Sequence, residues 1–111
     1  METRAHRIKL QPGSVGRARE WAAEITRRRE EALATLRDET ALLECFFLER
    51  AGDGDYLLAV MTAESFERSR EAVERSLHEI DAYHQQFKRD TWESGERLEL
   101  LVELNRIGEG R

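Results

Sequence analysis

Leu42-Leu43-Glu44-Cys45-Phe46-Phe47-Leu48-Glu49-Arg50, Ala51-Gly52-Asp53-Gly54 and Asp55-Tyr56-Leu57-Leu58-Ala59-Val60-Met61 follow one another in the middle of a 111-residue chain. Two short runs of leucine, aromatic and β-branched residues flank a Gly/Asp cluster, the signature of a β-hairpin. Pairing Arg50 with Asp55 sets its register. Leu48 then stands opposite Leu57, Phe46 opposite Ala59 and Glu44 opposite Met61 on one face, with Phe47 opposite Leu58 and Cys45 opposite Val60 on the other. Both faces are substantially apolar, so both need cover.

Upstream, Arg4 to Leu10 reads as a strand stopped by Gln11-Pro12-Gly13-Ser14, where Pro ends the ladder and Ser14 is placed to cap a helix. The helix begins at Val15 and carries a stripe of Val15, Ala18, Ala22, Ile25, Ala32 and Leu36, with Trp21 and Leu33 at its margins. Extended to Asp38 it would be about 36 Å long, against about 23 Å for a seven-residue strand. Either the helix overhangs the sheet or it bends near Arg29. Downstream, Thr62 or Ser65 caps a second helix with the stripe Phe66, Ser69, Val73, Leu77, Ile80, His84 and Phe87, again too long, with a break expected between Ser76 and Ile80. Ser94-Gly95 then turns the chain into a last strand, Leu98 to Leu104. The order is βαββαβ, which is the ferredoxin-like α+β arrangement: a four-stranded antiparallel sheet with the helices on one face. Residues 1–107 make one domain, with a frayed tail at 108–111.

Charged residues make up 37% of the chain and the net charge is −5. The one basic run, Arg27-Arg28-Arg29, is offset by Glu24, Glu30 and Glu31 at helical spacing, so no phosphate-binding surface is expected and nucleic acid is not an expected partner. No apolar stretch has the length of a membrane span or a signal peptide. A single cysteine, Cys45, beside Phe46 and Phe47, reads as a small hydrophobe in a reducing compartment. A cytoplasmic protein without membrane contact is expected.

Taking Ile8 and Leu10, with Leu98, Leu100, Val102 and Leu104, as the helix-covered face leaves the open face to Arg7, Lys9, Glu44, Phe46, Leu48, Leu57, Ala59, Met61, Glu99, Leu101 and Glu103. Water is a poor cover for so many adjacent apolar side chains. A twofold-related second copy is the simplest one. Arg7-Ile8-Lys9-Leu10-Gln11-Pro12-Gly13-Ser14, Phe47-Leu48-Glu49-Arg50 with Gly54-Asp55-Tyr56-Leu57, and His78 to His84 together resemble the dimeric α/β-barrel superfamily, and within it a small bacterial group of unknown function. The resemblance covers essentially the whole chain. It implies a homodimer closed through the open sheet faces around a cavity, in a superfamily of cofactor-free monooxygenases, haem-degrading enzymes, isomerases and small-molecule sensors.

His78, Asp81 and His84 drift by about 60° per three-residue step along a helix. Imidazole, carboxylate, imidazole is a workable metal set or, in preference, a general-base pair with an orienting acid. The competing reading makes His84 a hydrogen-bonded core residue between Ile80 and Phe87, and pairs His78 with Glu74. Glu44, flanked by Leu42, Phe46 and Met61, is the carboxylate whose burial would raise its pKa towards acid/base use. His6 is expected to face the helices. Arg7 and Lys9 are expected opposite Glu99 and Glu103, as ion pairs or as a ligand lining. Two functions follow. The first is a homodimer binding a small organic ligand in or beside the dimer cavity, lined by Arg7, Lys9, Phe46, Met61, His78, Tyr83, Glu99 and Glu103. The alternative is a cofactor-independent monooxygenase- or isomerase-type enzyme with His84 as base, Asp81 as its orienting group and Glu44 as acid. On that preference no metal site and no cofactor are expected, and the sequence contains no phosphate loop, CxxC pair or nucleophile elbow.

Overall fold

The computed structural model describes residues 1–109. Its elements follow in the order β1 (Glu2–Leu10), α1 (Val15–Arg27), α2 (Arg29–Asp38), β2 (Ala41–Ala51), β3 (Gly54–Ala63), α3 (Phe66–Arg75), α4 (Glu79–Thr91) and β4 (Trp92–Arg97). The strands form a single antiparallel sheet ordered β2-β3-β1-β4, so the first and last strands are neighbours as a ferredoxin-like fold requires. Each of the two long helical segments is two helices. The first breaks at Arg28 (φ −100°, ψ 38°), and Ser76 to His78 adopt extended backbone between α3 and α4. Leu77, at this break, leaves the apolar stripe and is almost fully exposed.

The hairpin has the register its turn sets: Arg50 faces Asp55, Leu48 Leu57, Phe46 Ala59 and Glu44 Met61. How it joins β1 reverses one expectation. Directly opposed residues of an antiparallel ladder share a face, and β1 pairs with β3 so that Ile8 faces Leu57, His6 faces Ala59 and Arg4 faces Met61. Glu44, Phe46, Leu48, Leu57, Ala59 and Met61 therefore lie on the same face as Ile8, beneath the helices, and not on the open face. Arg7 and Lys9 do lie on the open face, with Cys45, Phe47, Leu58 and Val60. Residue parity orders each strand internally, but no turn links β1 to β3 and nothing local fixes their mutual register.

The second correction concerns the last strand. Residues Trp92–Arg97, not Leu98–Leu104, pair with β1, with Arg97 facing His6, Glu96 Arg7, Gly95 Ile8 and Ser94 Lys9, and a bulge between Lys9 and Leu10. Ser94-Gly95 is thus inside the strand. Four of these six residues are charged or polar side chains, as suits an edge strand, so the run lacks the apolar signal that marks an inner one. After the Leu98 N–H donates to the Ala5 carbonyl at 2.8 Å, the chain continues without strand pairing to a turn closed by Glu109 N–H on the Arg106 carbonyl at 3.0 Å. Of the tail expected to fray, Gly108 and Glu109 belong to this turn and residues 110–111 lie outside the described residues.

The core gathers Ile8, Leu10, Ala18, Trp21, Leu57 and Phe87, with Ile25, Phe46, Leu48, Ala59, Tyr83 and Trp92 packed around it. Trp21 is central to it, not marginal. Its ring stacks on Phe87 (centroids 4.6 Å apart, planes at 5°) and meets Phe46 edge-on at 4.8 Å. Ala22, given to the stripe on spacing alone, is exposed. Ser65 caps α3 by accepting from the Arg68 N–H at 3.2 Å; the Ser14 side chain makes no such bond to α1. Thr40 holds a positive φ of 59°. For a β-branched residue that is a strained conformation, held by Thr40 Oγ1, which donates to the Ser65 carbonyl at 3.2 Å, and by the Glu64 N–H on the Thr40 carbonyl at 2.9 Å.

Candidate functional site

Three rows of opposed residues cross β2, β3 and β1 on the helix-covered face. The row Leu48, Leu57, Ile8 is apolar and lies in the packed core, and Phe46, Ala59, His6 is intermediate. The row Glu44, Met61, Arg4 carries two charges, which cannot be buried dry without a large desolvation cost. At this end the helices stand off the sheet. They leave a cavity of about 740 Å³ floored by Arg4, Met61, Glu44 and Phe46 and walled by Trp21 and Ile25 of α1, Leu33 and Leu36 of α2, Phe66, Ser69 and Val73 of α3, and Asp81, His84 and Lys88 of α4. The Arg4 guanidinium lies over the Phe66 ring, 4.2 Å from its centroid. The cavity is within one chain. An origin between two copies is not needed to account for it.

His84 is fixed from behind. The Trp21 Nε1–H donates to His84 Nδ1 at 3.1 Å. Indole N–H can only donate, so Nδ1 must be the acceptor and a neutral ring carries its proton on Nε2. Among the described residues Nε2 has no hydrogen-bond partner, and the residue borders the cavity. Burial, reinforced by the Lys88 ammonium, pushes the imidazole pKa down to about 4, so the ring is neutral at pH 7. It offers the cavity a donor, not a base.

The carboxyl groups move the other way. Solvent reaches Glu44 through the cavity, yet the surrounding walls desolvate it, and its pKa is raised, with Lys88 opposing and Asp81 adding to the shift. Glu39 also borders the cavity, where α2 ends. Desolvation first, then the negative charges of Glu44, Asp81 and Asp38, push its pKa up to about 8 against the pull of Lys88. Glu39 is anchored through its backbone, whose carbonyl accepts from Ser69 Oγ, next to the strained Thr40. Desolvation lowers the Lys88 pKa while Glu44 and Glu39 raise it. At neutral pH the cavity therefore holds a protonated carboxyl and a neutral imidazole, beside a second carboxyl of raised pKa and a lysine of lowered pKa.

Of the residues singled out from sequence, the fold brings Glu44, Phe46, Met61, Asp81 and His84 to this cavity. Asp81 accepts from Ser76 Oγ and does not orient His84. His78 lies outside, where its Nε2 meets Asp38 at 2.8 Å, not Glu74. Tyr83 packs against the core. Arg7 and Lys9 are on the opposite face, Arg7 donating to Glu49 at 2.9 Å and stacking on Tyr56 at 3.6 Å, and Lys9 reaching Glu93 at 3.9 Å. Glu99 and Glu103 belong to the exposed segment after β4 and face neither of them. Glu39, Lys88 and Arg4 were not foreseen; only helical spacing from His84 to Lys88 could have suggested one of them. No group of three or more His, Cys, Asp or Glu among the described residues is placed to hold a metal ion, and no helix is long and apolar enough to cross a membrane.

The chain is thus an α+β protein with one four-stranded antiparallel sheet, open on one face and enclosing a cavity under its helices. Residues 1–109 match a family of unknown function (DUF6176), and the chain belongs to that family. The crystal structure of protein Atu4242 from Agrobacterium tumefaciens, a structural genomics target, shares the fold at a TM-score of 0.60 over 88% of this chain and 89% of that one, with 14% sequence identity. No curated protein matches the chain.

Proposed function

We propose that this protein binds a small organic molecule in the cavity between its sheet and helices, and that it does so as a cytoplasmic homodimer of the dimeric α/β-barrel type joined through the open sheet face. The observation that carries the reading is the cavity itself. Its volume of about 740 Å³ falls in the range of roughly 300–1,000 Å³ typical of ligand pockets, and its lining sets apolar and aromatic side chains beside a larger number of polar and charged ones, which suits a ligand that is itself part apolar and part polar. Trp21, Phe46 and Phe66 suit a flat apolar ring; His84 Nε2–H and the Arg4 guanidinium suit an oxygen acceptor on it. The ligand class is a ring compound bearing a ketone or carboxylate.

The test follows the indole N–H resonance of Trp21 while aromatic ketone and carboxylate fragments are added to concentrations on the order of 1 mM, which detects a binding free energy of about 4 kcal/mol. A saturable shift is expected, and Val73→Trp, which fills the cavity from α3, abolishes it while the fold persists. No shift from any fragment, or one indifferent to Val73→Trp, would overturn the reading.

A second reading rests on Glu39 and Glu44. Carboxyls of raised pKa in a cavity are suited to proton transfer near neutral pH, which is what a cofactor-independent isomerase- or monooxygenase-type reaction would need. In that case Glu44 is the base and neutral His84 the electrophilic donor, reversing the roles their sequence positions suggest. Uptake of solvent deuterium into a bound ketone, lost in Glu44→Gln, is its signature; ligand binding without exchange leaves the first reading alone.

A further inference from the structure

The run Leu98-Glu99-Leu100-Leu101-Val102-Glu103-Leu104 alternates and branches like a strand but, beyond the Leu98 N–H on the Ala5 carbonyl, pairs with no strand. Leu101 is 85% exposed, Val102 74% and Leu104 95%, values of an unfolded chain on a segment held between a sheet and a closed turn. It lies over its own sheet's open face without packing closely against it. Leu100, Val102 and Leu104 stand above Leu43, Val60 and Thr62 of the open face across an unfilled cleft of about 610 Å³. Phe47, further along the same face, is also largely exposed.

We infer that residues 98–107 form an arm that docks a second copy of this chain, the partner's matching face and arm filling the cleft. The inference rests on the homodimer proposed above and adds to it the element that holds the two copies together. The arm together with Leu43 and Phe47 leaves on the order of 600 Å² of apolar side chain uncovered per chain, at the upper limit for a soluble monomer. Two such surfaces brought together by a twofold axis bury on the order of 1,200 Å², the lower bound of a stable interface. Both halves of the contact are on every chain, so under a twofold axis each arm fills the other's cleft and the assembly closes at two. Glu99 and Glu103 alternate with the leucines, so the arm carries a charged edge beside an apolar one. An unrelated partner would need to reproduce this alternation; a second copy has it already.

Sedimentation of the full chain tests the inference, since one protomer is 12.9 kDa. The expected species for the unaltered chain at concentrations on the order of 10 μM is twice that mass. The full-length variant Leu100→Lys/Val102→Lys/Leu104→Lys alters only exposed side chains, so its circular dichroism stays that of the unaltered chain, while its dimer dissociation constant rises at least about tenfold. Phe47→Lys, on the open face, is the companion variant. A chain that sediments as a monomer overturns the homodimer and the arm together. A dimer weakened by Phe47→Lys but not by the triple variant leaves the homodimer standing and overturns the arm alone. Amide exchange separates the same cases: amides of 98–104 become protected as concentration rises if the arm docks a partner, and protection independent of concentration overturns it.

Discussion

His84 and Glu39 hold the two largest pKa displacements of the cavity, in opposite directions and for one shared reason, loss of water. Lys88 adds to the first and opposes the second, so it is the group to remove. Lys88→Met lifts the His84 pKa from about 4 towards its ordinary value, visible in the pH titration of the imidazole C–H resonances, and raises those of Glu39 and Glu44 further; an unmoved His84 titration would refute the coupling. The same displacements set how stability varies with pH. Glu39 has a pKa of about 8 folded against 4.5 as a free side chain, so its contribution is complete below about pH 4.5 and is lost as pH rises through about 8. His84, with about 4 against 6.5, loses its contribution as pH falls through 4. The two slopes oppose each other between pH 4.5 and 6.5, and above 6.5 only that of Glu39 remains. Tm is therefore expected to fall between pH 6.5 and 8, and Glu39→Gln to flatten that fall by a few °C. Of these residues, Glu44 and His84 were legible because each interrupts an apolar stripe. Glu39 was not: it follows Asp38 at a helix end in an acid-rich chain, and only tertiary packing singles it out.

Helix ends separate what local sequence decides from what it does not. Ser14 and Ser65 are equally good caps on paper, yet only Ser65 takes the extended backbone that lets its hydroxyl reach the third residue of the helix. Ser65→Ala should cost about 1 kcal/mol in chemical denaturation and Ser14→Ala well under that; equal losses would mean that α1 is capped after all. Length alone showed both helical segments to be too long for the sheet, which left overhang or a break, and the structure breaks both, at Arg28 and between Ser76 and His78. The last strand was not legible. Trp92–Arg97 hides as an edge strand among charges while Leu98–Leu104 shows the alternation of an inner one, and period-two patterning cannot distinguish a strand that pairs within its own chain from one that does not.

Across the whole molecule, the element order and the hairpin register were carried by turn chemistry, and they suffice for the fold. The face assignment was not, because it depends on how β1 meets β3, a contact between segments separated by α1, α2 and β2. One pairing, Ile8 with Leu57, moves six side chains from one side of the sheet to the other. It also moves the candidate site from between two copies to the inside of one.

The rows on β2 and β3 have a consequence for how such a protein can change. Glu44, Phe46, Ala59 and Met61 face the cavity side, while Cys45, Phe47, Leu58 and Val60, interleaved with them, face the other. Neighbouring codons thus report to different surfaces, one lining the cavity side and the next the open face. Single substitutions one position apart can therefore reshape the cavity without altering the open face, or the reverse.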